Sequence, residues 1–150
     1  MKIPLIKPFI NQEIKNRVLD VLDSGYLTEG PVTREFESKL REFIDCKNLI
    51  AVTSATTGLE IALRALGVGP GDEVVVTPRS FIASVSSVIN VGAKPIFADV
   101  DLNSGNISPS SISDSLSNKT KAIICVHLSG FPCEMDEILD IAVKYDLFVI

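Results

Sequence analysis

From Leu49 onward, short β-branched runs alternate with stretches of helical periodicity, and this alternation limits the fold more than any other feature of the chain. Strands are predicted near Ile50–Thr53, Glu73–Thr77, Pro95–Ala98, Lys121–Val126 and Leu147–Ile150, and helices near Thr57–Leu66, Phe81–Val91, Ser110–Leu116 and Glu134–Lys144. Strands separated by helices cannot close as tight hairpins. They form a mainly parallel sheet covered by helices, joined by right-handed crossovers. Ligands of such sheets settle beyond the carboxyl ends of the strands.

Residues 1–48 follow a different pattern, a helical segment with an extended loop. Gln12–Leu22 carries Ile14, Val18, Leu19, Val21 and Leu22 at helical spacing, and Ser24-Gly25 ends it. Tyr26–Pro31 reads as the extended loop, turning at Gly30-Pro31. Thr33 is then expected to cap a second helix bearing Phe36, Leu40, Phe43 and Ile44. Residues 49–150 make the α/β part. Within it, Asp101–Ser117 is polar and serine-rich, the composition of a surface connection. The apolar strand Leu147–Ile150 is the last stretch of the chain, which leads to the expectation that these residues are the N-terminal part of something longer.

Composition narrows the function. A chain of 150 residues with 46% hydrophobic and 22% charged residues has enough apolar material for one domain with a core. A net charge of −5 disfavours a nucleic-acid partner, and no basic stripe offers itself to a membrane surface. Met1–Pro8 holds two prolines and two lysines and makes a poor signal peptide. Cys46, Cys125 and Cys133 are odd in number and lack metal-ligand spacing. They are read as reduced thiols of a cytoplasmic protein with no metal site.

The turn Ser54-Ala55-Thr56-Thr57-Gly58 is the first candidate site. A helix starting straight after a strand leaves its first N–H groups unpaired, and with the dipole and the hydroxyls they suit a phosphate. The plainer reading is a capping box, with Thr57 as cap and Glu60 three residues on. Gly67–Asp72 resembles a nucleotide loop only superficially: helix precedes and strand follows, so these glycines stop a helix. Phe81, beyond the Glu73–Thr77 strand, is either a core aromatic beginning a helix or a plate for a planar ring. Arg79 beside it either pairs with an anion or is solvated. Asp99 and Asp101 read as a polar strand exit. His127, the only histidine, is assigned to hydrogen bonding and not to general-base work.

Taken in order, Tyr26–Pro31, Ser54–Thr57, Gly69–Val74, Pro78–Ala83, Gly92–Pro95, Asp99–Asp101 and Val126–Gly130 resemble the DegT/DnrJ/EryC1/StrS sugar aminotransferases across nearly the whole chain. The resemblance implies the N-terminal part of the large domain of an aspartate-aminotransferase-like, fold type I enzyme that uses pyridoxal 5′-phosphate. It implies transfer of an amino group, usually from glutamate, to a nucleotide-linked keto-sugar, by a homodimer. Ser54, Ala55 and Thr56 match the turn that holds the cofactor phosphate, Ala55 standing where glycine is commoner. Phe81 matches the residue stacked on the pyridine ring. Tyr26, Thr28 and His127 are the candidates for substrate binding. The Schiff-base lysine and the acid that pairs with the pyridine nitrogen are expected beyond Ile150, so these residues alone are expected to be inactive. Two alternatives remain open: a sugar dehydratase of the same family, and a non-catalytic remnant or binding module.

Overall fold

The computed structural model describes residues 6–150, so Met1–Leu5, part of the segment weighed as a signal peptide, lies outside the described residues. The chain divides into two compact units, Met1–Ala51 and Val52–Ile150.

In the first unit, helix α1 spans Gln12–Ser24 and helix α2 spans Pro31–Phe43. Asn11 caps α1 by accepting from the Ile14 N–H, and Gly25, at φ 75°, ends it in the left-handed conformation that glycine adopts without penalty. Thr33 does not cap α2. The cap is extended Gly30, followed by Pro31 at the first helical position, so Thr33 falls inside the first turn. Proline takes that position because its fixed φ suits the helix and its missing N–H would have had no partner there.

The predicted strand at Ile50–Thr53 is absent. Ile50 is 78% exposed, and the Ala51 N–H donates to Glu37 Oε1 at 2.8 Å instead of to a neighbouring strand. β-branched residues favour extended backbone, but only a partner strand makes a ladder.

The second unit runs α3 (Ala55–Ala65), β1 (Glu73–Val76), α4 (Ala83–Asn90), β2 (Lys94–Phe97), α5 (Pro109–Ser115), β3 (Thr120–Ile124), α6 (Met135–Tyr145) and β4 (Phe148–Val149). The four strands form one parallel sheet in the order β2-β1-β3-β4. Pro95 sits on edge strand β2, where a residue without an N–H is tolerated.

Side chains of the two central strands divide between two cores with a period of two. Val74, Val76, Ala122 and Ile124 join Leu63 of α3 and Val88 of α4 on one face. Val75 and Ile123 join Ile112 of α5 and Ile138 of α6 on the other. Ile107 and Ile112 are fully buried in this second core, so Asp101–Ser117 is not the surface connection its composition implied. Ser108 caps α5, Ser111 and Ser117 hydrogen-bond Asp99 and Glu73, and two isoleucines anchor the segment.

Candidate active site

Ser54, not Thr57, caps α3. Its backbone is extended, and its Oγ accepts the Thr57 N–H at 3.1 Å and shares a 2.9 Å hydrogen bond with Thr57 Oγ1. Glu60 does not reach back to complete a capping box; its Oε1 accepts from Asn90 Nδ2 of α4 at 2.7 Å. Gly58 N–H is satisfied by the Ser54 carbonyl at 3.0 Å. The Ala55 and Thr56 N–H groups are left with no acceptor among the described residues. Two adjacent donors at the positive end of an 11-residue helix suit an anion. A Cβ at Gly58 would stand 3.3 Å from Val52 Cγ2, so glycine lets the preceding chain lie close to the first turn of the helix.

The loop that follows β1 carries Thr77, which is buried, and Phe81, which is 67% exposed. The core-aromatic reading of Phe81 is thereby overturned: α4 starts only at Ala83, and the ring of Phe81 is outside both cores. The loops after β2 and β3 flank this one, because β1 lies between those strands.

Asn106 ties the two flanking loops together. This buried residue donates from Nδ2 to the Phe131 and Pro132 carbonyls, both at 2.9 Å, and its Oδ1 accepts the Leu128 N–H at 2.9 Å. Sequence reasoning missed it, since an asparagine within a serine-rich stretch looks like a turn former. The one available signal was its place between Gly105 and the apolar Ile107.

His127 Nδ1 accepts the Cys133 N–H at 3.1 Å, which leaves Nε2 as the ring atom free to bond a ligand. Asp101 is a loop organiser, as its strand-exit reading required. Its Oδ1 accepts the N–H groups of Ser104 and Asn103 at 2.9 and 3.0 Å and the Ser104 hydroxyl at 3.1 Å, which together hold its carboxyl below the usual carboxylate range. Cys46, Cys125 and Cys133 are free thiols. Burial pushes Cys125 up to about 12 and raises Cys133 as well, so neither is a ready nucleophile.

In the first unit, Tyr26 and Thr28 line one groove of about 440 Å³ together with Arg17 and Asp20. Among the described residues no group of three or more His, Cys, Asp or Glu is placed to hold a metal, and no helix is long and apolar enough to cross a membrane.

A parallel sheet covered on both faces by helices is the architecture of the fold type I pyridoxal-phosphate class. The DegT/DnrJ/EryC1/StrS aminotransferase family matches residues 8–150, and the chain belongs to it. The aminotransferase of Psychrobacter cryohalolentis is 50% identical, with a TM-score of 0.90 over 95% of this chain and 36% of that one. NtdA of Bacillus subtilis, solved with bound pyridoxamine phosphate, is 36% identical, with a TM-score of 0.89 over 92% of this chain and 32% of its own. The spore coat polysaccharide biosynthesis protein SpsC of Bacillus subtilis is 40% identical over 148 residues, covering 99% of this chain and 38% of SpsC. The chain thus spans about a third of the length of these relatives. Pyridoxal phosphate is the cofactor of this family.

Proposed function

We propose that this chain is the cofactor-phosphate portion of a sugar aminotransferase that moves an amino group from glutamate to a nucleotide-linked keto-sugar, in polysaccharide biosynthesis. The observation that carries the reading is the pair of free N–H groups at Ala55 and Thr56, in a chain of this family. These two donors, with the Ser54–Thr57 hydroxyl pair beside them, hold the cofactor phosphate. Phe81 lies against the cofactor ring, and its exposure outside both cores leaves it available for that contact. Tyr26, Thr28 and His127 Nε2 bind the sugar. Bound in this way, the cofactor supplies the electron sink for amino transfer. The lysine and the acid that complete the reaction lie outside residues 1–150, and the working enzyme is a cytoplasmic homodimer.

Ala55→Pro tests the cradle. Proline suits the first helical position and the extended Ser54 before it, so the variant deletes one donor while keeping the helix. Losing a hydrogen bond to a charged group should weaken pyridoxal phosphate binding by about tenfold or more, with pyridoxal itself unaffected. Unchanged binding of pyridoxal phosphate would remove the cradle from the site. The reaction is tested on the full-length gene product with pyridoxal phosphate, glutamate and a panel of nucleotide-linked keto-sugars, reading 2-oxoglutarate. No turnover with any keto-sugar would overturn the assignment.

A further inference from the structure

Arg79 has no part in the reaction as proposed. It stands in the loop after β1, and among the described residues its one hydrogen bond uses the backbone N–H, which donates to Thr77 Oγ1 at 3.2 Å. Its guanidinium makes no ion pair and donates to no acceptor among the described residues, although the chain carries 19 acidic residues. The side chain, on an exposed residue, nevertheless lies against the protein. A Cβ on Gly105 would stand 2.9 Å from Arg79 Nη1, 3.1 Å from Cζ and 2.9 Å from Leu128 Cδ2. The flat guanidinium therefore lies over the bare backbone of Gly105, beside Leu128.

Both supports are fixed. Gly105 is buried at φ +72°, a conformation side chains disfavour, and its N–H donates to the Asp101 carbonyl at 2.8 Å. The Leu128 N–H is bound by Asn106. These two residues follow β2 and β3, and Arg79 follows the strand between them. An arginine that reaches between flanking loops at the carboxyl edge of a parallel sheet stands where such sheets hold ligands. A guanidinium with one side against protein and its donors unspent is preorganised for a planar or tetrahedral oxyanion, which it can engage in bidentate fashion.

We infer that Arg79 is an oxyanion-binding residue that takes a carboxylate or phosphate group of a ligand and so helps to decide which substrates the site accepts. The aminotransferase reading is needed only to name the sources of that group: the amino donor, the nucleotide diphosphate or the cofactor.

The test measures equilibrium binding of three probes, glutamate, uridine diphosphate and pyridoxal phosphate, to the full-length protein and to Arg79→Gln, Arg79→Lys and Gly105→Ala. Arg79→Gln should weaken one probe by about tenfold to a hundredfold and spare the other two, which identifies the source. Arg79→Lys should recover part of the loss by restoring charge without the fork. Gly105→Ala should weaken the same probe by displacing the guanidinium. Equal affinity of Arg79→Gln and wild type for all three probes overturns the inference. So does uniform weakening of all three that Arg79→Lys does not relieve, which would mark a loop-packing residue. Because binding is read apart from turnover, a selective loss in a protein that fails to transaminate would sustain Arg79 and reject the aminotransferase reading alone.

Discussion

The two units bury apolar residues by different means. Neither α1 nor α2 contains a buried residue, although both are amphipathic. The sheet of Val52–Ile150, by contrast, fully buries Val74, Val75 and Val76 in succession, because helices cover both of its faces. An amphipathic pattern thus makes a helix but does not by itself make a core; closure on a second side does that. Large apolar side chains of the first unit, including Phe9, Phe36 and Phe43, remain exposed.

One residue type placed in both units gives the largest test. Ile123 is fully buried in a central strand, while Ile14 of α1 is 39% exposed. Ile123→Ala should cost about 2–5 kcal/mol, by lost transfer energy and the cavity left behind. Ile14→Ala should cost about 1 kcal/mol or less. Denaturant unfolding of the two variants checks this, and equal losses would break the contrast between the units.

A smaller effect is expected from the buried polar tie of the second unit, Asn106. Asn106→Ala leaves one N–H and two carbonyls without their partner and should destabilise by about 1–3 kcal/mol. Hydrogen exchange should show faster opening at Leu128 first, and unchanged protection there would mean that Asn106 does not hold the loop.

The helix caps come next, and they should treat the units alike. Ser54→Ala and Asn11→Ala each remove a side-chain acceptor from a first-turn N–H and should each cost about 0.5–2 kcal/mol in thermal unfolding. Only Ser54→Ala should also weaken pyridoxal phosphate binding. A matching loss in Asn11→Ala would place the phosphate elsewhere.

The smallest effect is a pH dependence. Ser117 Oγ donates to Glu73 Oε2 at 2.6 Å, and Lys94 Nζ lies 3.2 Å from Oε1; together they lower the Glu73 carboxyl below its ordinary 4.5. A depressed carboxylate adds stability that is present above 4.5 and is lost as pH falls through the lower, folded-state value. Glu73→Gln should therefore lose stability near neutral pH and progressively less of it as pH falls below 4.5, which flattens the acid limb of a pH–stability curve. An acid limb identical to wild type would show that the Ser117 bond contributes nothing.

Much of this was legible in advance. Four of the five expected strands appear within a residue or two of their predicted ends, as do the four helices between them, because each element carries its period in its own residues. The failures share one cause. Ile50–Thr53 has strand composition but no paired neighbour, and Ala51 spends its N–H on Glu37. Thr57 and Glu60 have capping-box spacing, yet Ser54 takes the cap and Glu60 turns to Asn90. Phe81, which the sequence left as either a core aromatic or a plate for a planar ring, lies outside both cores. The sequence states what a residue can do and a competitor settles what it does: a near neighbour, Ser54, for Thr57, and residues farther along the chain for Ala51 and Glu60.

The sequence by itself determined the alternation of strand and helix and the family, and it singled out the turn from Ser54 to Gly58 as the candidate site for a phosphate. Those properties reside in local spacing, backbone preference and side-chain chemistry. Only the tertiary structure decided that β1 lies between β2 and β3, that Asn106 joins the loops after its two neighbours, and that Arg79 rests on Gly105 with no counterion among the described residues. Such facts depend on which distant segments meet, and no local pattern encodes a meeting whose energy comes from both partners at once.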